Sequence, residues 1–417
     1  MTPRVLVAAH YASERLGGEG AIPLRLYRRL RARGVEAWLV THDSGREELV
    51  PMFADEPDRL HLTSSLPGLA PVFTYGERLP GGPRVLAWGI TQIERQVAML
   101  RTIRRLVAEL HVDVVHQPIG IAPGMPTPLR RLGAPLVVGP LNGGLSMPPA
   151  FRDREPGSVR FTQSLRRPVA AATHRLMPGR REAAVVLVAN DRTRSLLPGG
   201  TGARIVDMPE SAVVVADWET KKTPPAEQSG PIRFVYLGRL VALKSPDLAL
   251  RAFARLGDRV DARFDILGDG PERDTLVRMA DDLGVADRVE FVGWVDAAEA
   301  SKRLRAADVF VYPSLREPGG TVVLEAMASG LPSIVADWGG PAEYVSDGTG
   351  LRVGIESPER FVDELTTAML QLATDPMARA AMGAAARARV EARYDWDVLV
   401  DQLLAIYADL TGRHPPA

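Results

Sequence analysis

Two carboxylates, Glu317 and Glu325, stand eight residues apart in VFVYPSLREPGGTVVLEAMASGLPSIV (309–335), with a glycine pair between them. The β-branched run Val309–Pro313 predicts a strand, and Glu317-Pro318-Gly319-Gly320 a loop. Val322–Ser329 predicts a helix that stops at Gly330, a residue suited to a left-handed helix end. This order sets the N–H groups of Gly319, Gly320 and Thr321 at the positive end of a helix, flanked by two acceptors for hydroxyl groups. Such a site suits an anion that carries sugar hydroxyls on either side.

One Glu-x7-Glu alone says little, but further pieces precede it in a fixed order: FVYLGRLVALKSPDLAL (234–250), ILGDGPERDTL (266–276) and VEFVGWV (289–295). With LEAMASG around Glu325, they resemble the retaining glycosyltransferases of family GT4, the glycosyl transferases group 1, over most of 230–355. The likeness of the N-terminal half is looser. The resemblance implies the GT-B fold, in which two Rossmann-like domains face each other across a cleft. It also implies a nucleotide diphosphate sugar as donor, with no metal and no cofactor. In such proteins the residue matching Glu325 accepts hydrogen bonds from ribose, and that matching Glu317 helps to position the transferred sugar.

Arg239 and Lys244 follow a strand that ends at Gly238, the edge at which open α/β sheets bind ligands. Lysine is scarce, with only Lys221, Lys222, Lys244 and Lys302 in the chain. Two fixed cations would stabilise the charge that develops on a departing diphosphate. The plainer alternative is a pair of solvated cations opening a helix. After VEFVG, relatives read the donor base around Val295 through backbone groups. Guanine presents adjacent N–H donors, so a carboxylate just beyond Val295-Asp296 would favour it. Ala297 stands there, which leans the expectation towards UDP over GDP, although Asp296 and Glu299 are near enough to substitute.

In the N-terminal half, Gly17-Gly18 follow the first predicted strand, in a turn that lets backbone amides approach phosphate. A dinucleotide fingerprint lacks its third glycine here, and in GT4 proteins the equivalent loop closes over the diphosphate. His116 ends the run VDVVH. A lone histidine is usually structural, whereas the family's strand-end histidine contacts the donor sugar. Asn142 and Gly143 lie in a second glycine-rich loop, GPLNGGLSMPP (139–149), expected to wall the acceptor pocket. The family's Asn-Gly-Val-Asp segment is replaced by Ser211-Ala212-Val213-Val214 after Glu210. Asp395-Trp396-Asp397 matches a metal motif of other glycosyltransferases, but its place at a helix start reads as an N-cap. His10, His42, His61, His111, His174 and His414 have no metal-ligand spacing.

These residues need elements to hold them. Strands are predicted at Val5–Ala9, Val35–Thr41, Val112–His116, Leu136–Gly139 and Val185–Ala189. A second set follows at Phe234–Leu237, Phe264–Leu267, Val289–Val292, Val309–Tyr312 and Ser333–Ala336. Apolar runs separated by amphipathic stretches predict two doubly wound parallel sheets. The expected division is a first domain over 1–212, a linker over 213–231 and a donor domain over 232–394. A terminal helix over about 395–412 is expected to cross back onto the first domain, as in GT4 relatives.

The 417 residues hold 51 basic and 51 acidic side chains and no cysteine, which leaves no disulfide and no thiolate chemistry. The start, MTPRVLVAAH, enters a strand at once, so a cytoplasmic location is expected, with peripheral contact at the inner membrane face left open. No apolar run reaches the ~20 residues of a spanning helix. The balance conceals an asymmetry: residues 1–212 hold 28 arginines against 19 acids. The excess is dense at Arg152, Arg154, Arg160, Arg166, Arg167, Arg175, Arg180 and Arg181. It reads either as a solvated surface or as attraction to an anionic acceptor or acidic membrane. The expected partners are a nucleotide-sugar donor and a small-molecule or glycan acceptor, not nucleic acid.

The sequence thus predicts a retaining, metal-independent glycosyltransferase in which the leaving phosphate accepts the acceptor's proton on the front face. The rivals are a GT-B-shaped epimerase or phosphorylase, and a non-catalytic nucleotide-sugar-binding protein.

Overall fold

A computed structural model describes residues 2–15, 18–66, 81–120, 122–155, 172–197, 202–221 and 230–413. Among the described residues there are thirteen strands, most of them separated by helices, and every paired strand runs parallel to its neighbour.

The first sheet contains β1 (Arg4–Ala8), β2 (Glu36–His42), β3 (Leu60–Thr63), β4 (Val114–Gln117), β5 (Leu136–Leu141), β6 (Val185–Val188) and β7 (Arg204–Asp207). Its spatial order is β3-β2-β1-β4-β5-β6-β7, so the winding reverses between β1 and β4. In the central strands the runs VLVA, VVHQ and VVLV are buried on both faces, as expected of a sheet with helices on either side.

The second sheet contains β8 (Ile232–Leu237), β9 (Ala262–Leu267), β10 (Val289–Gly293), β11 (Val309–Tyr312), β12 (Ser333–Ala336) and β13 (Gly350–Val353). Its order, β10-β9-β8-β11-β12-β13, reverses between β8 and β11. Because the strands are parallel, the loops after β8, β9, β10 and β11 all emerge along one edge. Both reversals are ligand-binding positions in folds of this kind.

The chain divides into one unit of Met1–Gly144, Pro156–Glu210 and Leu399–Ala417 and another of Leu145–Glu155 and Ser211–Val398. The expected domains differ from these bounds at two places. Segment 145–155 lies with the second unit: Met147 and Phe151 enter its apolar core, and the Trp338 indole donates to the Ser146 carbonyl at 2.9 Å. Much of the expected linker is also structural. Val213 bridges to Asp395, and Val215 and Trp218 are buried in the same core. The C-terminal helix, Trp396–Thr411, returns to the first unit as anticipated, where Tyr407 is fully buried. Asp395 caps it, accepting from the N–H of Asp397 at 2.7 Å and that of Val215 at 3.0 Å.

Candidate active site

The reversal in the second sheet collects the charged residues singled out above. Leaving β8, the chain passes Gly238 and Arg239, forms a short turn over Ala242–Lys244 and enters the helix Pro246–Ala254. Ser245 takes a left-handed conformation at the turn's exit, and Leu315 N–H donates to the Leu243 carbonyl at 3.1 Å. The loop after β8 is thereby tied to the loop after β11. Lys244 Nζ lies 3.1 Å from Glu317 Oε2, and both side chains are about four-fifths buried, at 23% and 18% exposure. Arg239 is exposed and forms no ion pair among the described residues.

Glu317 is held from three directions. Besides Lys244, the Tyr312 hydroxyl donates to Oε2 at 3.0 Å, and the Glu317 carbonyl accepts from Gly340 N–H at 2.9 Å. The Thr321–Ala328 helix begins behind it, with Gly320 as N-cap at φ 102, a conformation that favours glycine. A Cβ there would sit 3.1 Å from Glu317 Cγ and 3.3 Å from Pro341 Cγ. The first turn of a helix has no intrahelical acceptors for its N–H groups, so Gly319, Gly320 and Thr321 open this end to an anion. Glu325 is half-buried one turn further in. Val295 is half-buried in the loop after β10, on the same edge of the sheet.

The glycine of ILGDG has its own reason. A Cβ on Gly268 would fall 2.0 Å from the Gly238 carbonyl oxygen, so the loops after β8 and β9 meet backbone to backbone. A Cβ on Gly238 would in turn lie 3.3 Å from Tyr312 Cε2 and 3.4 Å from the Tyr236 hydroxyl.

In the first unit several expectations need correcting. Gly17 lies outside the described residues; Gly18 is exposed in the turn after β1. His116 is fully buried, with Nδ1 hydrogen-bonded to the Tyr407 hydroxyl and Nε2 2.7 Å from the Gly139 carbonyl. Burial lowers its pKa to about 4, so it is a neutral core histidine joining β4, β5 and the C-terminal helix. Both ring nitrogens are occupied, so in the backbone or ring contact to a donor sugar that the resemblance implied, the ring nitrogens take no part.

Asn142 is likewise internal, donating to Glu210 at 3.3 Å and accepting from Asn190 and Arg192 at 3.3 and 3.4 Å. Gly143 N–H donates to Thr193 Oγ1 at 3.1 Å, and a Cβ on Gly143 would meet Pro123 at 2.6 Å. This loop is a packed junction rather than an open wall. Of the arginine-rich run, Arg160, Arg166 and Arg167 lie outside the described residues. Arg180 is buried and donates to the carbonyls of Pro123, Gly120 and Ala122. Arg154 pairs with Asp247. These two are structural, not a solvated patch.

Reasoning from sequence missed the braces around the cluster. Arg154 reaches Ser245 Oγ at 3.4 Å and Asp247 Oδ1 at 3.0 Å beside the Lys244 turn. The buried Glu155 accepts from Arg316, next to Glu317, at 2.8 Å. The residues of 145–155 thus grip both charged loops of the second unit. No local signal marks them, because their partners lie 91 to 161 positions away.

Parts of the chain are similar to known proteins. The model of the family "Glycosyl transferases group 1" matches residues 217–389. A GDP-mannose-dependent monoacylated alpha-(1-6)-phosphatidylinositol monomannoside mannosyltransferase of Corynebacterium glutamicum is 38% identical over 176 residues, 40% of this chain and 45% of that protein. A D-inositol 3-phosphate glycosyltransferase of Mycobacterium tuberculosis is 36% identical over 182 residues, 43% of this chain and 37% of that protein. The matched stretch therefore spans less than half the length of either relative. Among solved structures, sucrose-phosphate synthase from Thermosynechococcus elongatus aligns with a TM-score of 0.66 at 18% identity, covering 99% of this chain and 100% of that one. A glycosyltransferase from Rickettsia africae aligns at 0.65 and 14% identity, covering 98% and 99%. These likenesses show a shared fold, the GT-B pair of Rossmann-like domains. The likeness to the glycosyl transferases group 1 family is carried by residues 217–389.

Proposed function

We propose that the protein is a glycosyltransferase that moves mannose from GDP-mannose to a hydroxyl of an inositol phosphate, free or borne on a lipid. The observation that carries the transfer reading is the meeting of Lys244 and Glu317 at 3.1 Å, beside a helix N-terminus, at the reversal of the second sheet. A diphosphate needs the cation and the helix end; a sugar needs the carboxylate. The donor is inferred from the relatives named as GDP-mannose-dependent, which outweighs the slight lean to UDP drawn from Ala297. Asp296, one of the two carboxylates able to serve guanine, has Oδ1 committed as the cap of the Ala297–Ala306 helix. Its second oxygen is the one available to a base.

Inositol-bearing acceptors are named for both groups of relatives, and the arginine excess of residues 1–212 favours an anionic acceptor. No described helix is long and apolar enough to cross a membrane, so a lipid acceptor would be met at the membrane surface. We further propose retention of anomeric configuration, with Arg239, Lys244 and the helix end neutralising the diphosphate. The leaving phosphate then takes the acceptor's proton as the sugar passes through an oxocarbenium-like state.

The test is release of GDP from GDP-mannose with and without myo-inositol phosphate or phosphatidylinositol vesicles, with NMR of the product anomer. Acceptor-dependent release, persisting in excess EDTA, is expected. Tighter binding of UDP than GDP would refute the donor, and loss of turnover in EDTA restored by Mn²⁺ would refute the metal-free mechanism. An epimerised donor sugar, or phosphate-dependent cleavage, would point to the two rival enzyme classes. Binding without turnover of any donor would leave a carbohydrate-binding protein.

A further inference from the structure

Two tyrosines form the floor beneath the charged loops. Tyr236 comes from β8 and Tyr312 from β11, the strands on either side of the reversal. Both are fully buried, and their rings lie 5.7 Å apart, inclined by 32°. The Tyr236 hydroxyl donates to the Arg239 carbonyl at 3.3 Å. That of Tyr312 donates to Glu317 Oε2 at 3.0 Å, the same oxygen that pairs with Lys244. The Lys244 ammonium stands 5.7 Å from the centre of the Tyr312 ring.

The arrangement solves a problem the ion pair creates. A diphosphate reaching Lys244 draws the ammonium's charge onto its own oxygens and repels the neighbouring carboxylate. Glu317 then loses its partner when it is most needed in place. A second cation would hold it but would also compete for the phosphate. A phenol anchored in the core holds it without charge. Burial, together with the Glu317 charge, raises the Tyr312 pKa well above its usual value, so the phenol stays protonated as a donor. It engages Oε2 and leaves Oε1 for a ligand hydroxyl.

We infer that Tyr312 is a positioning residue, which keeps the Glu317 carboxylate in place while Lys244 is drawn onto a diphosphate. The second clause rests on the donor reading above; the first stands on the contacts among Tyr312, Glu317 and Lys244. The ring packing alone does not require the hydroxyl, so Tyr312→Phe isolates it. Tyr236→Phe removes an equally buried hydroxyl from the adjacent ring without touching Glu317, and serves as the control for core damage.

The first readout uses no ligand. The chain has four lysines, so the ammonium resonance of Lys244 can be assigned with Lys244→Arg in ¹⁵N-lysine-labelled protein. Tyr312→Phe is expected to shift that resonance, and Tyr236→Phe to leave it in place. The second readout uses GDP and GDP-mannose. Tyr312→Phe is expected to bind GDP within about threefold of the parent while kcat falls tenfold or more. Adding Tyr312→Phe to Glu317→Gln should cost no further turnover, because the hydroxyl acts through that carboxylate.

An unmoved Lys244 resonance, equal losses in the two Phe variants, or losses that multiply with Glu317→Gln would each overturn the inference. Comparable melting temperatures of the two Phe variants show that a kinetic difference is not unfolding. If no nucleotide sugar supports turnover, the donor reading has failed. The Lys244 spectrum still decides whether Tyr312 holds the pair.

Discussion

At the scale of single residues, Lys244 and Glu317 neutralise each other. A diphosphate at Lys244 would exchange that contact, which offsets part of the gain from the new one. Lys244→Ala is expected to weaken GDP binding by about 2 kcal/mol, and Arg239→Ala, exposed and better hydrated, by about 1 kcal/mol. Calorimetry showing wild-type affinity in both variants would remove them from the site. Glu317→Ala releases Lys244 from its partner, so GDP affinity should hold or rise while transfer is lost. Glu325→Ala should instead weaken GDP itself; equal binding losses in the two variants would end this division of roles. The clustering of charged residues after β8 and β11 was legible because they lie within short, ordered motifs. His116 was not legible as a core residue, because its partner Tyr407 lies 291 positions away.

At the scale of elements, the central strands announced themselves, and of the four edge strands only β10 did. VVHQ, VFVY and SIVA are buried throughout, so their apolar runs are continuous. LHLT (β3), RIVD (β7) and GLRV (β13) went unread because they lie at sheet edges, where one side meets no strand and polar residues are tolerated. Segment 145–155 escaped for another reason: its affiliation rests on contacts made far along the chain. Arg154→Ala should leave the fold intact but loosen the Lys244 turn, lowering GDP affinity severalfold. Hydrogen exchange confined to 242–247 would confirm it, and unchanged exchange there would not support a brace. Gly268→Ala should cost about 2 kcal/mol or more, because backbone strikes backbone and no rotamer relieves it. Gly284→Ala, also at positive φ but with nothing within 4 Å, should cost only about 1 kcal/mol in urea melts.

For the whole molecule, the histidines divide far more unevenly than the arginines. All seven fall outside the residues of the second unit, 145–155 and 211–398. Burial, aided by the nearby Arg95, lowers His10 to about 3. Burial also holds His116 at about 4, and His174 at about 4 with Arg180 beside it. An unfolded chain binds these protons near pH 6.5, so it is the unfolded state that gains protons on mild acidification. The stability these neutral rings contribute is fully present above about pH 6.5 and is lost as pH falls towards 4. The loss reaches at most about 1.4 kcal/mol per pH unit for each histidine. Carboxylates remain largely ionised in both states above about pH 5, so they add little in the upper part of that window. Acidification from pH 7 to 5 should therefore weaken the first unit and spare the second. Peptide-resolved hydrogen exchange, corrected for the intrinsic effect of pH, distinguishes the two. Protection should fall first in β1, β4 and β5 while β8 to β12 keep theirs; a uniform loss, or an earlier loss in the histidine-free unit, would contradict the assignment. His116→Gln sharpens the test, since it leaves the core polar group uncharged and should flatten part of the pH response even if it lowers stability at pH 7.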